Sequence, residues 1–271
     1  MRVRSIVAIP VTGEGLDDAL SSAADAVLLT LADDSRSTST LRQEATAALA
    51  RIGEAGKAGM VLVNHPRTKL LRDDLDAVLS PLVRAIMLAH VVEPQDVRDA
   101  TVLLREFELA RGIEPGETRI FPMIDTARGL LRAPEIAQAA PRVGGLVFAS
   151  QAYSADVGAR HEQRGSRMSY ARGAIVAASR AVDQLPLVVA DTLELLHLAQ
   201  YGFAGAILPD CRGAAAANAA FAPTTATRER AQRHAQLFDA ARGEGAWVAR
   251  SGAEVVDAHG ARKARQVLAE E

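Results

Sequence analysis

Carboxylates, imidazoles and guanidiniums recur along this chain just after short apolar runs. Asp33 and Asp34 follow one run, Asn64, His65 and Arg67 the next, and His90 the one after. Asp125 with Arg128, Gln151 with Asp156, Asp191, and Asp210 with Cys211 and Arg212 continue the series. Each side-chain type brings its own chemistry. Asp125, beside other acids, is a hard oxygen ligand suited to Mg²⁺ with water filling the remaining positions. His90 carries an imidazole, which suits a general base, and Asp33 is a second catalytic candidate. Arg128 presents a planar fork that clamps a substrate carboxylate. Asn64 and Gln151 offer amides to the substrate's other oxygens. Gathered at one place, these groups would make a dense polar ring.

Several of them also have a purely structural use. Asp191-Thr192-Leu193-Glu194 has the shape of a capping box with an acid in place of Ser or Thr, so a helix cap is the first use of Asp191. Asp33 and Asp34 precede Ser35-Arg36-Ser37, which suits an ordinary turn equally well. Cys211 has no activating partner nearby in sequence and reads as an inert small side chain. His161 lies in a charged run and reads as solvated, as do His197 and His259. Arg228-Glu229-Arg230 and Arg262-Lys263-Ala264-Arg265 read as solvated helix faces.

The positioning elements are written in the apolar runs. Ser5–Ile9, Ala26–Leu31, Gly59–Asn64, Ala85–Ala89, Arg119–Ile124, Gly144–Phe148, Leu187–Ala190 and Gly205–Leu208 are continuous rather than alternating, as for parallel strands covered on both faces. Helical patterns lie between them. Glu93-Pro94-Gln95-Asp96 opens one, with Pro in the first turn and acids at the positive end of the dipole; Gly112 is its stop. Thr40–Ala50 and Ser169–Val182 are others.

Eight strands alternating with helices match an α/β fold of the (β/α)8 TIM-barrel type, whose functional groups sit at the C-terminal ends of strands. A doubly wound sheet is the alternative. It would usually show a glycine-rich phosphate loop, and Pro10–Gly15 holds only a bare G-x-G. The expected organisation is a barrel domain over 1–222 and a C-terminal extension over 223–271. In the extension, Thr224–Arg242 reads as a long helix, Ala246–Val248 and Glu254–Val256 as short strands or a hairpin, and Ala261–Ala269 as a basic amphipathic helix. Such a tail is expected to pack on the barrel or on a neighbouring subunit.

Composition narrows the function classes. In 271 residues, 31 Lys and Arg face 33 Asp and Glu, a formal net charge of −2. That balance lacks the basic excess of a nucleic-acid or membrane-surface protein. Aromatic residues make up only 4%, too few for base-stacking platforms. No apolar run is long enough to span a membrane, and no signal-peptide core follows the N-terminus. One cysteine excludes an internal disulfide framework and Cys-cluster metal sites. The expected setting is a reducing cytoplasm.

Thr126-Ala127-Arg128-Gly129-Leu130-Leu131, followed by Pro134-Glu135-Ile136-Ala137, closely resembles the fifth-strand exit of citrate lyase β-subunit-like proteins of the HpcH/HpaI aldolase superfamily. The resemblance extends over most of the chain. Ala24–Leu29 is similar to the second-strand "ADAVILDLED" region, Val61–Asn64 to "VRVN", and Ala155-Asp156-Val157-Gly158 to "ADLG". Gly202-Phe203, Asn218, Ala220-Phe221 and Pro223 resemble "GFDGK…NEAFTP". Val256-Asp257 and Ala261–Arg265 resemble the C-terminal "MVD…RA". What the resemblance implies is a barrel that binds Mg²⁺ at its strand C-termini and makes or breaks a C–C bond of a carboxylic acid or acyl-CoA through a metal-stabilised enolate. It also implies a homo-oligomer, a trimer or hexamer.

The departures fall on the chemistry. Where the resemblance places a Glu ligand this chain has Asp125, and Ala152 stands at the second metal position. Leu62 replaces the strand-three Arg, Thr30 and Ala32 the acids ending strand two, and His90 the Lys after strand four. Pro209-Asp210-Cys211 stands for "IHP". The first loop is shortened to Val11–Gly15, which counts against CoA. Asp125, Arg128 and Asp33 remain as site residues, and Asp156 matches a structural position. One Asp competes poorly with water for Mg²⁺, and without the metal an enolate loses stabilisation worth several kcal/mol. Two outcomes stay open: a lyase with a rearranged site, or a catalytically degenerate member that binds a small carboxylate or a partner subunit.

Overall fold

The computed structural model describes residues 3–31, 38–159, 168–252 and 254–268. Eight parallel strands run in sequence order: β1 (Ser5–Pro10), β2 (Ala26–Thr30), β3 (Ala58–Val63), β4 (Val83–Leu88), β5 (Arg119–Ile124), β6 (Val147–Phe148), β7 (Leu187–Val189) and β8 (Gly205–Leu208). They close into a barrel, with β8 pairing β1 in the register Ser5 to Ala206. Ten helices accompany them among the described residues: α1 (Leu16–Ser21), α2 (Thr38–Glu54), α3 (Leu71–Val78), α4 (Pro94–Ala110), α5 (Ala127–Leu131), α6 (Ala133–Ala137), α7 (Ser150–Asp156), α8 (Ser169–Arg180), α9 (Leu195–Tyr201) and α10 (Ala214–Ala220).

The unbroken apolar runs follow from burial on both faces. Along β2, Ala26 and Leu28 point into the barrel while Val27 and Leu29 pack under the helices. Met60, Met87, Phe121, Val147, Leu187 and Ile207 continue the inner core, and Val61, Ile86, Ile120, Phe148, Val188 and Leu208 the outer one. Strand β6 is shorter than the run Gly144–Phe148. A Cβ on Gly145 would lie 1.8 Å from the Leu185 carbonyl oxygen. The chain passes the backbone there too closely for a regular ladder, and Gly144 instead donates its N–H to Ile120 (2.9 Å).

Helix α4 starts as its residues require. The Asp96 carboxylate accepts the Glu93 N–H (3.0 Å), Pro94 opens the first turn, and Gly112, at φ 68°, stands just past the end. Near the N-terminal end of β5, Glu108 of α4 forms a buried ion pair with Arg142 (2.7 Å). The Glu108 carboxylate also accepts the N–H groups of Gly116 and Thr118, so its charge is fully met.

A second compact unit begins at Ala222. It comprises α11 (Thr225–Gly243), an antiparallel hairpin of β9 (Val248–Ser251) and β10 (Glu254–Asp257), and α12 (Ala258–Leu268). Thr224 caps α11 by accepting the Thr227 N–H (3.2 Å). Its core is small, with Phe238, Ala249, Val256 and Ala261 in one cluster. Trp247 is 68% exposed, with the Arg242 guanidinium 3.7 Å from its ring centre. Among the described residues no helix is long and apolar enough to cross a membrane.

Candidate functional site

The exit of β5 is folded tightly. Thr126 caps α5 by accepting the Gly129 N–H (3.1 Å). A Cβ at Gly129 would meet the Val91 carbonyl at 2.6 Å, so only glycine lets this turn lie against the loop between β4 and α4. Asp156, at the end of α7, accepts the Ala127 N–H (2.8 Å) and pins the turn from the other side. The match over Thr126–Gly129 is therefore a match of backbone packing.

This packing brings Asp125 against His90. Oδ2 of Asp125 is hydrogen-bonded to Nδ1 of His90. Asp125 is 3% exposed and its Oδ1 makes no hydrogen bond, whereas the His90 side chain is 54% exposed. Burial pushes the Asp125 carboxyl above the usual carboxylate range, and the His90 imidazole pulls it back only in part. His90 sits at φ 54°, a left-handed conformation that costs a non-glycine residue of order 1–3 kcal/mol.

Beside this pair, three arginines surround one carboxylate. Glu93 accepts from Arg67 and from Arg132 (3.0 Å), with Arg128 further off at 3.6 Å. Asp96 lies 3.3 Å from His65 and 3.2 Å from Arg67. Arg128 is held most loosely of the three and is 64% exposed.

The polar ring expected from the sequence is largely spent on the fold. Asn64 gives an amide N–H to Asp74 (2.8 Å), which also binds Arg42 (2.9 Å). Asp191 caps the turn after β7 through the Leu193 N–H (2.9 Å), and Asp210 caps the one after β8 while pairing with Arg212 (2.5 Å). Gln151 lies exposed on α7. Asp33, Asp34 and His161 lie outside the described residues. Several side chains that face inward at the strand ends are instead apolar, while Thr30 at the end of β2 is polar and half-buried. Ala8, Leu62, Met123 and Val189 sit on the inner core and are only half-buried.

Glu93, Asp96 and Asp74 were not singled out as site residues from the sequence. Glu93 and Asp96 could have been, since an acidic helix start with Pro directly after a strand exit marks a rim position. Asp74 carried no such signal, because its partners Arg42 and Asn64 are distant in sequence. The donor set among the described residues does not suit Mg²⁺, which asks for several oxygen ligands in near-octahedral array. Asp125 offers one unbonded oxygen, its other oxygen is engaged by an imidazole, and Ala152 has no donor. Among the described residues no three His, Cys, Asp or Glu groups come together as a metal cluster.

A family model described as HpcH/HpaI aldolase/citrate lyase matches residues 13–207. The citrate lyase β subunit of Escherichia coli K12 is 29% identical over 205 residues, covering 72% of this chain and 68% of that protein. A (3S)-malyl-CoA thioesterase of Cereibacter sphaeroides is 28% identical over 278 residues, covering 98% and 93%. Among solved structures, a citrate lyase from Burkholderia xenovorans superposes with a TM-score of 0.75 at 18% identity, covering 99% of this chain and 91% of that one. CitE of Mycobacterium tuberculosis, in complex with magnesium, acetoacetate and coenzyme A, superposes with a TM-score of 0.68 at 19% identity, covering 99% and 98%.

Proposed function

The chain belongs to the HpcH/HpaI aldolase/citrate lyase family, and from that premise we propose that it is a carbon–carbon lyase acting on a carboxylic acid or acyl-CoA. The observation that carries the reading is the His90–Asp125 pair at the C-terminal end of a closed barrel. In the cleavage direction a base removes the proton of a β-hydroxyl and the C–C bond breaks. Its electron pair passes to the α-carbon, releasing a carbonyl product and an enolate that then takes up a proton. His90 moves that proton, held in one tautomer by Asp125. Arg128 holds the substrate carboxylate, with Asn64 and Gln151 as further polar contacts. Magnesium, present in the complex of the Mycobacterium tuberculosis protein, has support among the described residues only from Asp125. Metal affinity is accordingly weak, and the shortened first loop counts against CoA.

The same reading takes the protein to be cytoplasmic and a homo-oligomer, a trimer or hexamer. The test is a cleavage assay on the purified chain, following ketone or aldehyde release from 3-hydroxy acids and their CoA thioesters. His90→Gln should lower kcat by about a hundredfold or more while the circular dichroism spectrum stays unchanged. Wild-type protein that binds small carboxylates yet turns over none of them would favour the degenerate reading, which the internally spent rim also supports.

A further inference from the structure

We propose that the barrel mouth selects a monocarboxylate bearing an alkyl or acyl chain over a dicarboxylate. This rests on the reading of that mouth as the substrate site. The inward-facing side chains at the strand ends decide what a ligand meets below the rim. At β1, β3, β5 and β7 they are Ala8, Leu62, Met123 and Val189, which pack on the inner core with part of their surface still open. The arginines near the site, including Arg128, lie on the rim around Glu93, and the His90 imidazole is engaged by Asp125.

One cost disfavours a second carboxylate on this floor. A carboxylate placed on Leu62, Met123 and Val189 would lose most of its water, with the neutral Thr30 hydroxyl, in register with Leu62, as a donor beside it. A hydrocarbon chain avoids that cost and covers apolar surface now exposed to water. One charge is nevertheless provided for, because Arg128 is exposed and held only at 3.6 Å from Glu93. The ligand that fits has its anionic end on the rim and its apolar end in the barrel mouth.

Calorimetric titration of the full chain with 4-methylpentanoate and with glutarate tests this. The expected result is at least about tenfold tighter binding of 4-methylpentanoate. Equal or tighter glutarate binding overturns the inference, as does failure of 4-methylpentanoate to bind below about 10 mM. Leu62→Arg should reverse the preference. Should that variant not fold, Leu62→Ala should weaken 4-methylpentanoate several-fold and leave glutarate unchanged, and equal effects on both ligands would again overturn it. Selective binding without any lyase turnover leaves this inference standing and removes the lyase reading. Turnover of dicarboxylic substrates with no binding of 4-methylpentanoate does the reverse.

Discussion

An imidazole bonded to a buried carboxylate keeps one tautomer and one orientation, so on the proposed lyase reading His90 and Asp125 act as a unit. Their effects on turnover should then be shared rather than additive. Asp125→Asn alone should lower kcat by about a hundredfold, and the double variant with His90→Gln should be no slower than the worse single one. Multiplicative losses in the steady-state rates would show two independent groups. Both residues were legible in the sequence by type, since each follows an apolar run. Their contact was not, because 35 positions separate them and only the tight turn at Gly129 closes the gap. The roles of Asn64, Asp191 and Asp210 were blurred for a related reason: an Asp that ends a strand looks the same whether it meets a substrate or caps the next turn.

Strands were readable because each one carries apolar residues on both faces, and helix starts because Pro94 and the acids beside it leave few alternatives. Strand β6 is shorter than its apolar run. Nothing local announces that Gly145 lies against the Leu185 backbone, which depends on where β7 begins. The joint between α4 and β5 was equally hidden, since Glu108 looks like one more surface acid of an amphipathic helix. Its side chain is fully buried against Arg142 and two backbone N–H groups. Glu108→Ala leaves the guanidinium uncompensated and should cost roughly 3–5 kcal/mol in chemical denaturation. A combined Glu108→Ala and Arg142→Met replacement should cost clearly less, because no charge is left stranded.

For the whole molecule, eight alternations of strand and helix were enough to name the architecture, as the closed eight-stranded order bears out. The second unit is small for the apolar surface it carries. Trp247 and Val255 are 68% and 53% exposed, and patches of this kind usually meet a partner chain. Sedimentation of the full chain should give three times the mass of one chain, or a multiple of that, and a chain ending after Ala222 should sediment as a smaller species. A full-length monomer would contradict this. Because β8 seals against β1, every barrel strand is flanked on two sides, so a strand amide meets a ladder whichever side it faces and exchanges its hydrogen when that ladder parts. The strands β9 and β10 pair only with each other among the described residues. Deuterium therefore enters one protein at two paces, slowly through a sheet without edges and quickly through a ribbon that has two.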